Sequence, residues 1–183
     1  MNFSKNYYEK TIKYELLNKC NYKNINNIPK IKKIVLNLGC KGVNMKLLAH
    51  SLLALELITA KQGMLSVSKK SNLLLKIRKS NPVGCYVNLK KNYIFDLIEK
   101  LLVEVFPKMK NTNDLNFNLT KKNFKSTSHT INNPLLFSEL EHNYYLFNNI
   151  SNIQITILTN SNNLNETTFL LHALKFNLNK RQM

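Results

Sequence analysis

Three well-separated stretches read as β-strands, two of them alternating apolar and polar side chains, and this limits what the rest of the chain can build. VGCYVNLK sets Val83, Cys85, Val87 and Leu89 on one side and Tyr86 and Asn88 on the other. NIQITILT sets Ile153, Ile155 and Ile157 inward and Gln154 and Thr156 outward. IKKIVLNLG, Ile31 to Gly39, is rich in β-branched residues and reads as a third strand, and Met64 to Ser68 as a short fourth. Alternation of this kind buries one face of a sheet and leaves the other polar.

The intervening segments have helical character. Ser4 is placed to cap a helix running to about Cys20, with Tyr8, Ile12 and Leu16 on one face. KLLAHSLLALELITAKQ, Lys46 to Gln62, is apolar over most of its circumference, which predicts a largely buried helix. YIFDLIEKLLVEVFP is amphipathic and stopped by Pro107. Asn163 with Glu166 three residues later forms a capping-box pattern that opens a helix from Leu164 to Phe176. Few strands, mixed irregularly with helices, define the expected class: α+β, a mostly antiparallel β-sheet with α-helices packed on one face. The length suits a single domain over 1–183. The polar, aperiodic stretch 111–133 reads as a loop or extension of it.

The uncovered sheet face then carries Lys32, Asn37, Tyr86, Asn88 and Gln154. Amides, hydroxyls and lysines can hydrogen-bond to sugar, phosphate and base edges. Charge points the same way. The net charge is +17, and between Leu16 and Phe95 a single acid, Glu56, faces 15 basic residues. A one-sided field of this strength calls for a polyanion, nucleic acid first. An anionic membrane surface is the second candidate, but it needs a basic amphipathic helix, and here the cations lie on strand-like and loop-like segments.

Other classes find little support. No apolar run reaches the length of a membrane span. The N-terminus, MNFSKNYYEKTIKYELL, has neither the apolar core of a signal peptide nor the Arg-rich, acid-poor composition of a transit peptide. Cys20, Cys40 and Cys85 are odd in number and far apart, so they read as small buried hydrophobes rather than disulfide or zinc partners. His50, His129, His142 and His172 show no metal-ligand spacing, no catalytic signature is present, and acids are too scarce in the basic half for a two-metal nuclease. No catalytic residue, metal ligand or cofactor is expected; a binding protein is. Lysine outnumbers arginine 25 to 2 beside 30 asparagines, a codon bias pointing to an A/T-rich genome such as that of an organelle or a parasite.

Several motifs carry a resemblance. They are Asn21-Tyr22, Pro29-Lys30-Ile31, Lys33-Ile34, Asn37-Leu38-Gly39, LITAKQ, KKSNLLLKIRKSNPVGCYVNL, the helix ending LIEKLLVEVFPKMK, LLFSELE and NIQITILT. In this order they resemble the large-subunit ribosomal protein family L-five over nearly the whole chain. The resemblance implies an antiparallel sheet with helices on one side and a place in the central protuberance of the large ribosomal subunit. The implied partners are 5S rRNA where it is present, large-subunit rRNA, P-site tRNA, a small-subunit head protein and neighbouring central-protuberance proteins, with no membrane. Lys30, Lys32, Lys33, Asn37, Gln62 and Asn88 are the implied rRNA-binding residues. Lys69, Lys70, Ser71, Lys76, Arg78 and Lys79 are those of a tRNA-contacting loop, Ser71 to Asn81.

This chain departs from the family in places. Asn88 stands where Thr is usual and Leu74 where the loop has Gly, while NDLNFN and KSTSHTINN replace glycine- and arginine-bearing segments. Leu73 to Leu75 either stiffen an exposed loop and pack on a ribose or a neighbouring chain, or form a core strand. The composition implies a divergent organellar member, mitochondrial first and plastid-type second. The rival reading is an RNA-processing or maturase-like factor not stably part of a ribosome.

Overall fold

A computed structural model describes residues 2–20, 22, 24–40, 44–109, 117–119 and 124–178. Six strands form one antiparallel sheet in the order β2-β3-β1-β6-β5-β4. They are β1 (Ile31–Gly39), β2 (Met64–Val67), β3 (Pro82–Leu89), β4 (Asn118–Leu119), β5 (Ser126–Ile131) and β6 (Ile153–Thr159). The fold is therefore α+β, as the alternating strands require. The chain divides into two compact units: residues 1–34, 90–129 and 156–183, and residues 35–89 and 130–155.

In the second unit, α3 (Met45–Thr59) packs on β3 and against the short helices α6 (Ser138–Glu141) and α7 (Tyr144–Phe147). Leu36, Leu38, Cys85, Val87 and Leu89 are buried on alternate positions of β1 and β3. Helix α3 buries Leu48, Ala54, Leu55 and Ile58 but leaves Leu53 and Leu57 about two-fifths exposed, so it is covered on one side rather than largely buried. It ends at Ala60, whose left-handed φ of 49° closes the last turn. Ser51 Oγ lies 3.4 Å from the sulfurs of both Cys40 and Cys85. Burial pushes the Cys85 thiol up, and the Ser51 hydrogen bond opposes that. Only Cys85 is the buried hydrophobe expected of all three cysteines; Cys20 and Cys40 are half-buried.

Gly84 fixes how closely strands approach in this unit. A Cβ there would stand 2.5 Å from the Leu38 carbonyl oxygen and 3.1 Å from Ser66 Oγ. A backbone oxygen cannot swing aside as a side chain can, so Gly84→Ala is expected to destabilise the protein by about 1–3 kcal/mol. Thermal melting checks this: a midpoint several degrees lower is expected, and an unchanged one contradicts the packing.

In the first unit, α1 (Phe3–Tyr7), a π-helical turn (Tyr8–Ile12) and α2 (Lys13–Lys19) run as one rod. Ile12 and Leu16 are buried and Tyr8 half-buried, as their spacing predicts. Ser4 lies inside the first turn and is buried; the cap position is Asn2. Helix α4 (Asn92–Lys100) continues through a π turn (Leu101–Val105) into α5 (Phe106–Lys108), so Pro107 sits one residue before the end instead of stopping the helix. Helix α8 (Leu164–Ala173) has Asn163 at its cap position. Glu166 accepts from the Asn162 amide at 3.0 Å, one residue earlier than a capping box places it.

Within the stretch read as a loop or extension, Ser126–Ile131 is a strand, and β4 pairs with it antiparallel. Its inward positions are Thr127, His129 and Ile131, with His129 stacked 4.7 Å from Phe117. Residues 110–116 and 120–123, and with them most of NDLNFN, lie outside the described residues, as do Asn21 and Lys110 of the family motifs.

The Tyr8 hydroxyl donates to the Pro29 carbonyl at 2.9 Å. Burial, with Glu9 adding to it, pushes its pKa up to about 12 from the ordinary 10. The unfolded chain therefore ionises first. The stability that Tyr8 contributes is complete below pH 10 and is lost as pH rises through about 12. Alkaline unfolding followed by circular dichroism is expected to steepen over that window in the wild type and less so in Tyr8→Phe.

Candidate nucleic-acid interface

The face of the second unit's strands turned away from α3 is polar and half-open. Asn37 on β1 sits between buried Leu36 and Leu38, and Asn88 on β3 between buried Val87 and Leu89, so both amides point to the uncovered side. Met64 of β2 pairs with Tyr86 and Ser66 with Gly84, which puts Met64, Ser66 and Tyr86 on that side as well. Gln154 on β6 is exposed. Gln62 is exposed in the turn before β2.

Lys61, which sequence reasoning passed over in favour of its neighbour, is half-buried and donates from Nζ to the Asn88 carbonyl at 2.5 Å. It brings a cation to the edge of the amide face.

In the first unit, Lys30 and Lys32 are exposed and Lys33 is half-buried. Lys32 does not share Asn37's face. It has the parity of Ile34, Leu36 and Leu38 and escapes burial only because it stands near the start of β1, whereas Lys33 has the parity of Asn37. The main chain at Lys30 is tied down, its carbonyl accepting from the Asn160 amide at 3.0 Å.

The segment between β2 and β3 extends their hairpin beyond the sheet. The Ser68 amide donates to the Asn81 carbonyl and the Ser80 amide to the Ser68 carbonyl, both at 2.9 Å, and Ser68 Oγ donates to the Arg78 carbonyl at 2.6 Å. At the tip, Asn72 and Ile77 exchange backbone hydrogen bonds at 2.8 and 3.0 Å. The Asn72 side chain accepts from the Leu74 amide at 3.0 Å, a local turn-forming bond of the kind asparagine favours. Lys76 and Ser80 take left-handed φ values of 52° and 69°. The tip is thus shaped by its own backbone. Leu74, which replaces the usual glycine, is not among the positive-φ residues, so the substitution carries no such strain.

Leu73 and Leu74 are 93% and 94% exposed, which settles the choice between loop and core strand in favour of the loop. Lys69, Lys70, Ser71, Lys76, Arg78 and Lys79 are all exposed around them. A fixed scaffold therefore presents five cations and two bare leucines together. No group of His, Cys, Asp and Glu suited to a metal ion occurs among the described residues.

An open amide face and a basic hairpin tip together offer hydrogen-bonding groups and positive charge of the kind that suits a polyanion. Comparison with known proteins gives the family. The chain is 34% identical over 183 residues to the large ribosomal subunit protein uL5m of Reclinomonas americana, covering 99% of this chain and 100% of that one. It is 32% identical over 176 residues to the uL5 protein of Wigglesworthia glossinidia brevipalpis, covering 95% and 97%. With uL5c of Oedogonium cardiacum it shares 32% over 169 residues, covering 91% and 92%. No family model matches it. The chain belongs to the uL5 family of large ribosomal subunit proteins, as a divergent member, and its role is structural rather than enzymatic.

Proposed function

We propose that this chain is the uL5 protein of a mitochondrial large ribosomal subunit. It binds 5S rRNA, where its ribosome keeps one, and adjoining large-subunit rRNA in the central protuberance. The hairpin tip reaches toward P-site tRNA, and neighbouring central-protuberance proteins and a small-subunit head protein complete its contacts. The mitochondrial assignment rests on the 34% identity to a uL5m protein and on the lysine- and asparagine-rich composition; the uL5c relative keeps a plastid-type organelle as the alternative.

The hairpin tip is the observation that carries this reading most directly. Cations on a preformed backbone suit phosphates, because little order has to be gained on binding. Asn37, Gln62 and Asn88, helped by Lys61, supply donors and acceptors for the rRNA, with Lys30, Lys32 and Lys33 meeting phosphates.

Co-sedimentation tests the structural role. The protein should pellet with large subunits at stoichiometric amounts and stay through a moderate salt wash. Release at modest salt would instead indicate a loosely held RNA-processing factor, since binding through phosphates alone weakens steeply as salt rises.

A further inference from the structure

Resting on the RNA-binding reading above, we propose that a cleft in the first unit receives an unstacked nucleotide of the ribosomal RNA. It lies where the start of α2 meets the turn Ile25–Asn27 that leads into β1, and its volume is about 370 Å³. Lys13 lines it from the helix and Lys30 from the residue just before β1, with Asn26, Ile25 and Ile28 between them. Ile28 is buried, 4% exposed, while Ile25 is 75% exposed. The hydrogen bond from Tyr8 to the Pro29 carbonyl ties the turn to the helix, so the cleft exists before any ligand arrives.

A nucleotide has three chemically distinct parts, and the cleft offers a partner to each. The phosphate meets Lys13 and Lys30. The base edge meets the exposed Asn26 amide, which both donates and accepts. A face of the base covers Ile25, which is otherwise left in water. A nucleotide joins a phosphate, a flat face and a hydrogen-bonding edge in one rigid unit, and so engages the lysines, the isoleucine and the amide together. Glu9 also lines the cleft and opposes any anion there, which gives the proposal a second, opposite test.

The experiment titrates the purified full-length chain with its own large-subunit rRNA over a range of salt. Lys13→Ala/Lys30→Ala is expected to lose about tenfold in affinity, with a salt slope shallower by roughly 1 to 2. Asn26→Ala is expected to lose several-fold with the slope unchanged, as a base contact should. Glu9→Gln is expected to bind a few-fold tighter. Asn26, Glu9 and Lys30 are exposed and Lys13 is half-buried; circular dichroism confirms that each variant is folded. Wild-type affinity in Asn26→Ala would overturn the proposal, reducing the cleft to a cationic surface or a site for an acidic peptide. Failure of the wild type itself to bind the rRNA would overturn the RNA-binding reading instead, so the two failures are distinct.

Discussion

Replacing Lys69, Lys70, Lys76, Arg78 and Lys79 together with alanine is expected to weaken P-site tRNA binding by at least about tenfold while leaving subunit assembly close to normal. All five side chains are exposed, so their removal takes away no packing. The main-chain bonds Ser68–Asn81, Ser80–Ser68 and Asn72–Ile77, and the Ser68 and Asn72 side-chain bonds, remain to hold the tip's shape. Each phosphate deprived of its cation should also flatten the salt dependence of binding by roughly 0.7 to 0.9. Filter binding of tRNA to purified ribosomes reads both quantities. Unchanged affinity and slope would remove the tip from the tRNA interface.

The second large effect concerns the sheet face. Asn37→Ala/Asn88→Ala is expected to lower incorporation of the protein into large subunits several-fold. Both side chains are half-buried among strand neighbours, yet they point away from the core, and their alanine variants create no cavity. The melting temperature should therefore stay within a few degrees of wild type. Quantitative mass spectrometry of sedimented subunits checks occupancy. Normal occupancy of the double variant would place the rRNA-binding surface elsewhere.

What the sequence disclosed divides along physical lines. Strands β3 and β6 were legible because apolar side chains mark their inward positions at every second residue, and β1 because it is rich in β-branched residues. Strand β5 has the same alternation in structure, but Thr127 and His129 occupy its inward sites, so the hydrophobic pattern does not show it. The π turns at Tyr8–Ile12 and Leu101–Val105 leave the helical periodicity on either side intact and give no compositional sign. Parity was the lesson at Lys32: one residue's shift along a strand reverses the face, whatever the side chain's polarity.

The basic loop was legible as a segment but not as a shape. Its form depends on left-handed backbone at Lys76 and Ser80, residue types that do not advertise it, and on Asn72, whose side-chain turn bond is a recognisable asparagine habit. Lys61 was missed for a different reason. Its role comes from reaching the Asn88 carbonyl, 27 residues away, and no local pattern encodes that.

Ultraviolet crosslinking of intact ribosomes carrying P-site tRNA, with sequencing of the RNA attached to each peptide, tests the central claim most directly. The account predicts crosslinks from the strands bearing Asn37 and Asn88 to 5S rRNA, or to large-subunit rRNA where no 5S rRNA is kept, and from residues 71–81 to tRNA. A sheet face without rRNA crosslinks, together with a loop attached only to protein, would contradict it.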